Sequence, residues 1–91
     1  MPHEVTNVEH LGGHRLLLTF EGREHREIDV TTLTPFDGVL APLADEAYFS
    51  QVRVNPEIGS IVWPNGVDLC PDVLYERSHA VGREPLTSIR T

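Results

Sequence analysis

The first third of the chain alternates between apolar and polar residues, which is the pattern of half-buried β-strands. Three segments alternate, at residues 5–10, 15–20 and 26–30, and glycine-containing turns at 11–14 and 21–22 separate them. The apolar positions of the second and third segments fall on one face of each strand: Leu16, Leu18, Phe20, Ile28 and Val30. The pattern predicts a three-stranded antiparallel meander.

After the meander, the sequence predicts an irregular segment, hereafter the crossing (residues 31–42), followed by a short helix. Residues 31–42 mix Thr, Pro and Gly with apolar residues and keep no period, so we expect a non-regular path that still contributes core side chains. Asp45 is a favourable N-cap, and a short helix is predicted near 45–50. The apolar residues that we expect the crossing to contribute to the core are Phe36, Val39 and Leu40.

A second hairpin and a second helix are predicted after residue 50. Alternation at 52–54 and 60–63, on either side of a turn at 55–59, is typical of a hairpin. Pro71 favours a helix start, because the missing N–H of proline is unpaired in the first turn anyway, and the helix runs through Tyr75.

These elements predict one small α+β domain over residues 1–76, with a small antiparallel sheet made of the meander and the second hairpin, and two short helices. A chain of 91 residues buries only about 64% of its extended surface, which allows one modest core. Residues 77–91 have no sustained period and are predicted to be a flexible C-terminal tail.

The charge of the chain is acidic and unevenly distributed. The net charge is −7, with 14 Asp and Glu against 7 basic residues, all of them Arg. Residues 1–76 hold 13 acids and 4 Arg, whereas 77–91 hold one acid and 3 Arg. An acidic body repels a phosphate backbone, so we expect no direct binding of nucleic acid by this chain alone. Without lysine, Schiff-base chemistry and a P-loop lysine are also excluded.

Cysteine content and hydropathy predict a cytoplasmic protein. Cys70 is the single cysteine, so the disulfide framework of a small secreted domain is not expected. No stretch approaches the roughly 18 apolar residues of a membrane span, and the first residues lack the features of a signal peptide. We therefore expect no membrane association.

The side chains that could carry chemistry each have a simpler structural interpretation. The turn from Trp63 to Asp68 could frame a ligand pocket, but a Trp that caps the core and an Asp68 that binds its own backbone account for it as well. His10, His14 and His25 could converge at a sheet edge, yet no ligand spacing supports a zinc site, and no cofactor is expected. No nucleophile motif is present, so we predict a protein that is not an enzyme.

The acidic residues of the strands and turns suggest a different use. A solvated face explains them, and the same face could meet a basic partner and speed association with it. The residues concerned are Glu21, Glu24, Glu27 and Asp29.

The chain resembles the bacterial family known as domain of unknown function 2442, over roughly residues 5–75. The matching features are Leu16-x-Leu18-x-Phe20-x-Gly22, Ile28-Asp29-Val30, Pro42-Leu43-x-Asp45, Phe49-x-x-Val52 and Trp63-Pro64-Asn65-Gly66-x-Asp68-Leu69-x-Pro71-x-x-Leu74-Tyr75. The resemblance implies a small α+β domain without an established activity, whose members look like components of gene pairs similar to toxin–antitoxin operons.

Two hypotheses follow from the residues and the resemblance. The first is a protein-interaction module, the acidic member of a toxin–antitoxin-like pair, that binds a small basic protein; a homodimer is a further possibility. The second is a small-ligand or metal-binding domain. The candidate interaction or ligand site consists of Trp63, Asn65, Asp68 and Tyr75.

Overall fold

An antiparallel sheet and a separate hairpin form the β-structure of the protein, of which residues 3–81 are described by a computed structural model. In chain order the strands are β1 (Val5–Gly12), β2 (Arg15–Phe20), β3 (Glu24–Asp29), β4 (Arg53–Asn55), β5 (Ser60–Val62) and β6 (His79–Ala80). The four-stranded sheet has the order β1-β2-β3-β6, and β4 pairs with β5. The predicted α+β class, meander and second hairpin are confirmed, and the sheet gains a fourth strand.

Within residues 3–81, four short helices connect and cover the strands. Two are 3-10 helices, Val30–Thr32 and Gly38–Ala44, and two are α-helices, α1 (Glu46–Phe49) and α2 (Pro71–Arg77). None of the helices in the described part of the chain has the length and apolar composition needed to cross a membrane.

The predicted turn of the first hairpin is confirmed by the backbone. Gly12 and Gly13 have φ angles of +108° and +56°. Glycine reaches these angles without the Cβ clash that other residues suffer, so the paired glycines let β1 turn directly into β2. β3 then begins at Glu24, two residues before its predicted start.

The core lies on one face of the four-stranded sheet. The predicted inward positions of β2 and β3 are at most 2% exposed. Residues from later elements cover them: Leu43, Phe49, Ile61, Trp63 and Leu74, each at most 1% exposed. Because these residues come from four different short elements, the core is completed by many small contributions and not by one long amphipathic helix.

The crossing departs from the prediction at one residue. Phe36 and Leu40 pack partly buried against the core, as expected, but Val39 is 73% exposed. The second 3-10 helix explains the difference, since residues three apart share one side of such a helix. Leu40 and Leu43 therefore face the core together, and Val39 points away from them.

The short helix after the crossing is confirmed, as is its cap. The Asp45 side chain accepts a hydrogen bond from the backbone N–H of Ala47 at 3.0 Å, which satisfies one of the free donors at the start of α1. Phe49, at the end of α1, is fully buried.

Regular structure continues beyond residue 76, where the sequence predicts the end of the domain. Arg77 ends α2, Ser78 is only 4% exposed, and β6 pairs with Arg26 and Glu27 of β3. A two-residue strand has no period that a sequence pattern could reveal. The remainder of the predicted tail, residues 82–91, lies outside the described residues.

Replacing Trp63 with Ala is expected to cost about 3–5 kcal/mol of unfolding free energy, because it removes a buried ring. Urea denaturation followed by far-UV circular dichroism measures the loss, since the variant lacks the only tryptophan for fluorescence. Val39→Ala, at an exposed position, is the control and should change the free energy by less than about 0.5 kcal/mol. Equal stability of Trp63→Ala and the parent would contradict this role for the ring.

Candidate functional site

Trp63, the first predicted site residue, lies in the core. It is 1% exposed, and its Nε1 donates a hydrogen bond to the carbonyl oxygen of Phe49 at 2.9 Å. The two rings also contact each other, with centroids 5.5 Å apart. Burial of the ring together with a partner for its N–H is the usual arrangement of a structural tryptophan, and it ties β5 to α1.

Asn65 fixes the turn that follows. Its Oδ1 accepts from the backbone N–H of Val67 at 3.1 Å, and its Nδ2 donates to the carbonyl of Val39 at 3.2 Å. Asn65 therefore both closes the turn and joins it to the second 3-10 helix.

Asp68 does not make the predicted bond to its own backbone. Its side chain is exposed, and its backbone forms an isolated bridge with Val62. The local side-chain cap comes from Asn65 instead, because an Asx side chain can reach the backbone N–H two residues further on, here that of Val67.

Tyr75 belongs to a different cluster, on the inner side of β3. Its ring lies between two flat groups, the imidazole of His3 with centroids 3.7 Å apart and the guanidinium of Arg26 at 4.1 Å from the ring centre. Its hydroxyl donates to both carboxylate oxygens of Glu24, at 2.8 and 3.0 Å. Arg26 in turn donates to Glu24 and to the side chain and carbonyl of Ser78, each at 2.8 Å.

This cluster, hereafter the Tyr75 cluster (His3, Glu24, Arg26, Tyr75 and Ser78), perturbs two of its own groups. The hydrogen bond from Tyr75, followed by that from Arg26, lowers the pKa of Glu24 from its ordinary value. The same bond to Glu24, helped by desolvation, raises the pKa of Tyr75. The pattern is that of a charge-assisted clamp that holds α2 and the start of β6 against β3.

The predicted site residues thus divide between two places. Trp63, Asn65 and Asp68 share the turn after β5, whereas Tyr75 lies on α2 against β3. Among residues 3–81, no hydrogen bond or ring contact joins Tyr75 to that turn.

The histidines and Cys70 are placed separately. The Nε2 atoms of His10 and His14 lie 2.9 and 2.8 Å from the carbonyl oxygens of Gly13 and Leu43, and both rings pack on Phe49. His25 lies on the opposite face of the sheet, with its Nδ1 3.1 Å from the Thr19 hydroxyl. No group of three metal-ligating side chains forms within the part of the chain that the structure describes. Cys70 is an exposed free thiol.

The second face of the four-stranded sheet remains open. Residues that alternate with the core positions point outward, and the register aligns Glu9, Leu17, Glu27 and His79 in a row across all four strands. We call this outward surface the open face; its other members are Asn7, Arg15, Thr19, His25 and Asp29. All of them are exposed or half-buried, and Leu17 is the apolar residue at the centre.

A cleft of about 360 Å³ lies where the open face meets β6. The open-face residues Glu27, Asp29 and His79 line it from the sheet. Arg77 and Thr32 line it from α2 and the first 3-10 helix, and Ala80 and Val81 complete it. The cleft therefore combines both signs of charge with a small apolar wall.

The alternation of residues along the strands predicts part of the open face from the sequence. Alternation alone separates outward from inward residues in β3, and it divides the predicted acidic set: Glu27 and Asp29 point outward, whereas Glu24 points to α2. The cleft forms because β6 pairs with β3, and the paired residues are more than fifty positions apart in the sequence. No local pattern indicates a contact of that kind.

The fold and the open face define a small α+β protein with a two-layer arrangement, in which one sheet face is packed and the other is polar. A family model described as "Protein of unknown function (DUF2442)" matches residues 5–80. The chain belongs to this family, as the resemblance implied. No curated protein and no solved structure matches the chain.

Asn65→Ala is expected to destabilise the protein by about 1–2 kcal/mol, because it removes two side-chain hydrogen bonds at an exposed turn. Asn65→Asp retains the acceptor for Val67 and should recover part of the loss. Chemical denaturation of both variants measures the difference. If Asn65→Ala leaves the free energy of unfolding unchanged, the turn does not depend on these bonds.

The Tyr75 cluster predicts a pH dependence with two arms. Because folding lowers the pKa of Glu24, its stabilising contribution is present above the ordinary glutamate value near 4.5 and is lost as the pH falls through the lower folded value. For Tyr75 the folded pKa is raised, so its contribution is present below 10 and is lost as the pH rises through the folded value.

Comparison of the parent with Glu24→Gln in thermal melts between pH 2 and pH 7 tests the acid arm. The parent should be more stable near neutral pH, and the difference should shrink toward low pH. Glu21→Gln, in the neighbouring exposed turn, is the matched control. A difference between Glu24→Gln and the parent that stays constant across this range would refute the assignment.

Proposed function

We propose that this protein is a non-catalytic protein-interaction module, the acidic member of a toxin–antitoxin-like gene pair, and that its open face binds a small basic protein. The observation that supports this most strongly is the open face itself. It is a four-stranded sheet surface with charged residues around a half-buried Leu17. A small apolar centre inside a polar rim is the usual anatomy of a protein interface.

Electrostatics favour a basic partner. Residues 3–81 contain thirteen acids and five Arg, a balance of −8. Two of these Arg already pair with acids of the sheet, Arg15 of β2 with Glu27 of β3 at 2.6 Å and Arg26 with Glu24, both of β3, at 2.8 Å. The surplus of acids is therefore left for solvent or a partner, and a net negative charge accelerates association with a basic protein.

The gene-pair role is supported by the family. The resemblance described above implies small proteins encoded beside another small protein, and the acidic charge of this chain suits the member that neutralises a basic companion. Binding through a preformed sheet face requires no rearrangement of the module.

Binding of a small ligand is a second candidate function, and the cleft beside β6 is the observation that favours it. Its volume, about 360 Å³, falls near the lower end of the range of ligand pockets, roughly 300–1,000 Å³. Only two of its seven lining residues, Ala80 and Val81, are apolar, whereas most ligand pockets are lined mainly by hydrophobic and aromatic side chains, so this is the weaker candidate.

The partner hypothesis predicts a salt-dependent association that is sensitive to charge on the open face. The product of the adjacent gene, co-expressed and purified, should bind this protein, with an on-rate that falls as ionic strength rises. Glu9→Lys on the open face should weaken binding by about tenfold or more. Glu57→Lys, an equal charge change in the turn between β4 and β5, should change it by no more than about threefold.

Kinetic binding measurements of the parent and both variants at two salt concentrations provide the comparison. An adjacent gene product that does not bind the parent would remove the partner hypothesis. Equal effects of Glu9→Lys and Glu57→Lys would keep the partner but place its interface elsewhere.

A further inference from the structure

We propose that the cleft beside β6 is a socket for an arginine side chain of the protein partner. This inference rests on the proposed function and deepens it, because it names the group that anchors the partner on the open face.

Glu27 and Asp29 each have one carboxylate oxygen that is engaged and one that is not. Glu27 Oε2 pairs with Arg15 at 2.6 Å, and Asp29 Oδ1 accepts from the backbone N–H and the hydroxyl of Thr31 at 3.0 and 2.5 Å. The other oxygens, Glu27 Oε1 and Asp29 Oδ2, have no hydrogen-bond partner among the described residues. A carboxylate accepts several hydrogen bonds, so both retain capacity.

The spacing of these two residues suits a guanidinium group. Side chains two positions apart on one strand lie on the same face, about 7 Å apart along the strand. A guanidinium is planar and donates from opposite edges, so it can bind two carboxylates that flank it. The ammonium of Lys is a compact point charge and lacks that span, which is why we assign arginine.

The remaining walls suit the stem of the same side chain. Ala80 and Val81 supply apolar surface, and Val81 is 42% exposed in the protein alone. Arginine commonly buries its methylene stem against apolar surface while its charged head makes hydrogen bonds. Val81 would become covered when the side chain enters.

Arg77 and His79 also line the cleft, and Arg77 gives the proposal its sharpest test. If the socket takes a cation, Arg77 opposes binding, and its removal strengthens binding. If the cleft takes an anion such as a carboxylate or phosphate, Arg77 is required, and its removal weakens binding. The two occupants therefore predict opposite signs for one substitution.

The peptide N-acetyl-Gly-Arg-Gly-amide is the probe, and the matched peptide with citrulline in place of arginine is its neutral control. Titration of the ¹⁵N-labelled full chain, followed by NMR, should shift the amide signals of residues 27–29 and 79–81 first. The citrulline peptide, which loses the charge-assisted bonds, should bind on the order of tenfold more weakly.

Three variants distinguish binding of the arginine peptide in the socket from its non-specific electrostatic attraction to the acidic protein. Asp29→Asn keeps the acceptor for Thr31 and should weaken arginine-peptide binding by about three- to tenfold. Arg77→Gln should strengthen it by about two- to threefold. Glu57→Gln, which removes one exposed charge from the turn between β4 and β5, away from the open face and the cleft, should leave it within about twofold.

Amide shifts that spread evenly over the acidic surface, or equal effects of Asp29→Asn and Glu57→Gln on peptide binding, would overturn the socket. Weaker binding by Arg77→Gln, with acetate or inorganic phosphate producing the same shifts, would replace it with an anion site. These outcomes concern the isolated chain. They are therefore distinct from failure of the adjacent gene product to bind, which would remove the proposed partner.

Discussion

One constraint determines the rest of the structure. The apolar face of the meander must be covered, and in the described part of the chain the elements that follow the meander are all short. The α-helices have four and seven residues, too few to shield a sheet alone. The contact between Trp63 and Phe49 solves the problem. The large ring of Trp63, directly after β5, and that of Phe49 in α1 fill the centre, and Trp63 Nε1 donates to the carbonyl oxygen of Phe49. The hairpin, both α-helices and the second 3-10 helix then pack around this pair.

Much of this fold can be predicted from the sequence where local rules decide the structure. Alternation placed the inward residues of β2 and β3, Asp45 marked the start of α1, and Pro71 marked the start of α2. The prediction for Val39 was wrong because an irregular path gives no rule for which of its apolar residues face the core, whereas the 3-10 helix turns Val39 away from Leu40 and Leu43. β6 was missed because two residues have no period, and its partner lies more than fifty residues earlier.

The candidate site was predicted less well, and for a physical reason. Trp63 and Asn65, the conspicuous residues of the motif, have structural roles: Trp63 fills the core, and Asn65 closes a turn. The open face consists of ordinary residues such as Glu9 and Glu27, whose relation to each other appears only when the strands are in register. A surface assembled from the outward positions of four strands has no signature in any single stretch of sequence.

β3 links the two roles of the molecule. Its even-numbered residues Glu24 and Arg26 turn inward and neutralise each other while they clamp α2, and its odd-numbered residues Glu27 and Asp29 turn outward to the cleft. The strand thus pairs the charges of Glu24 and Arg26 where they pack against α2. On the outward side, Glu27 and Asp29 each keep one carboxylate oxygen without a hydrogen-bond partner among the described residues, where a partner protein can approach. A one-residue slip in register would exchange these two sets and disrupt both roles at once.

The contact of His3 with α2 has a consequence for the order in which the chain folds. The backbone N–H of His3 donates to Asp72, 69 residues later, and its ring stacks on Tyr75. During synthesis the meander can pair through local turns as soon as β3 has left the ribosome. Its apolar face gains cover in steps from the second 3-10 helix, α1 and β5, and the cover stays incomplete until α2 arrives, because contacts between distant residues form late. That interval is when a nascent chain of this protein is most exposed to aggregation.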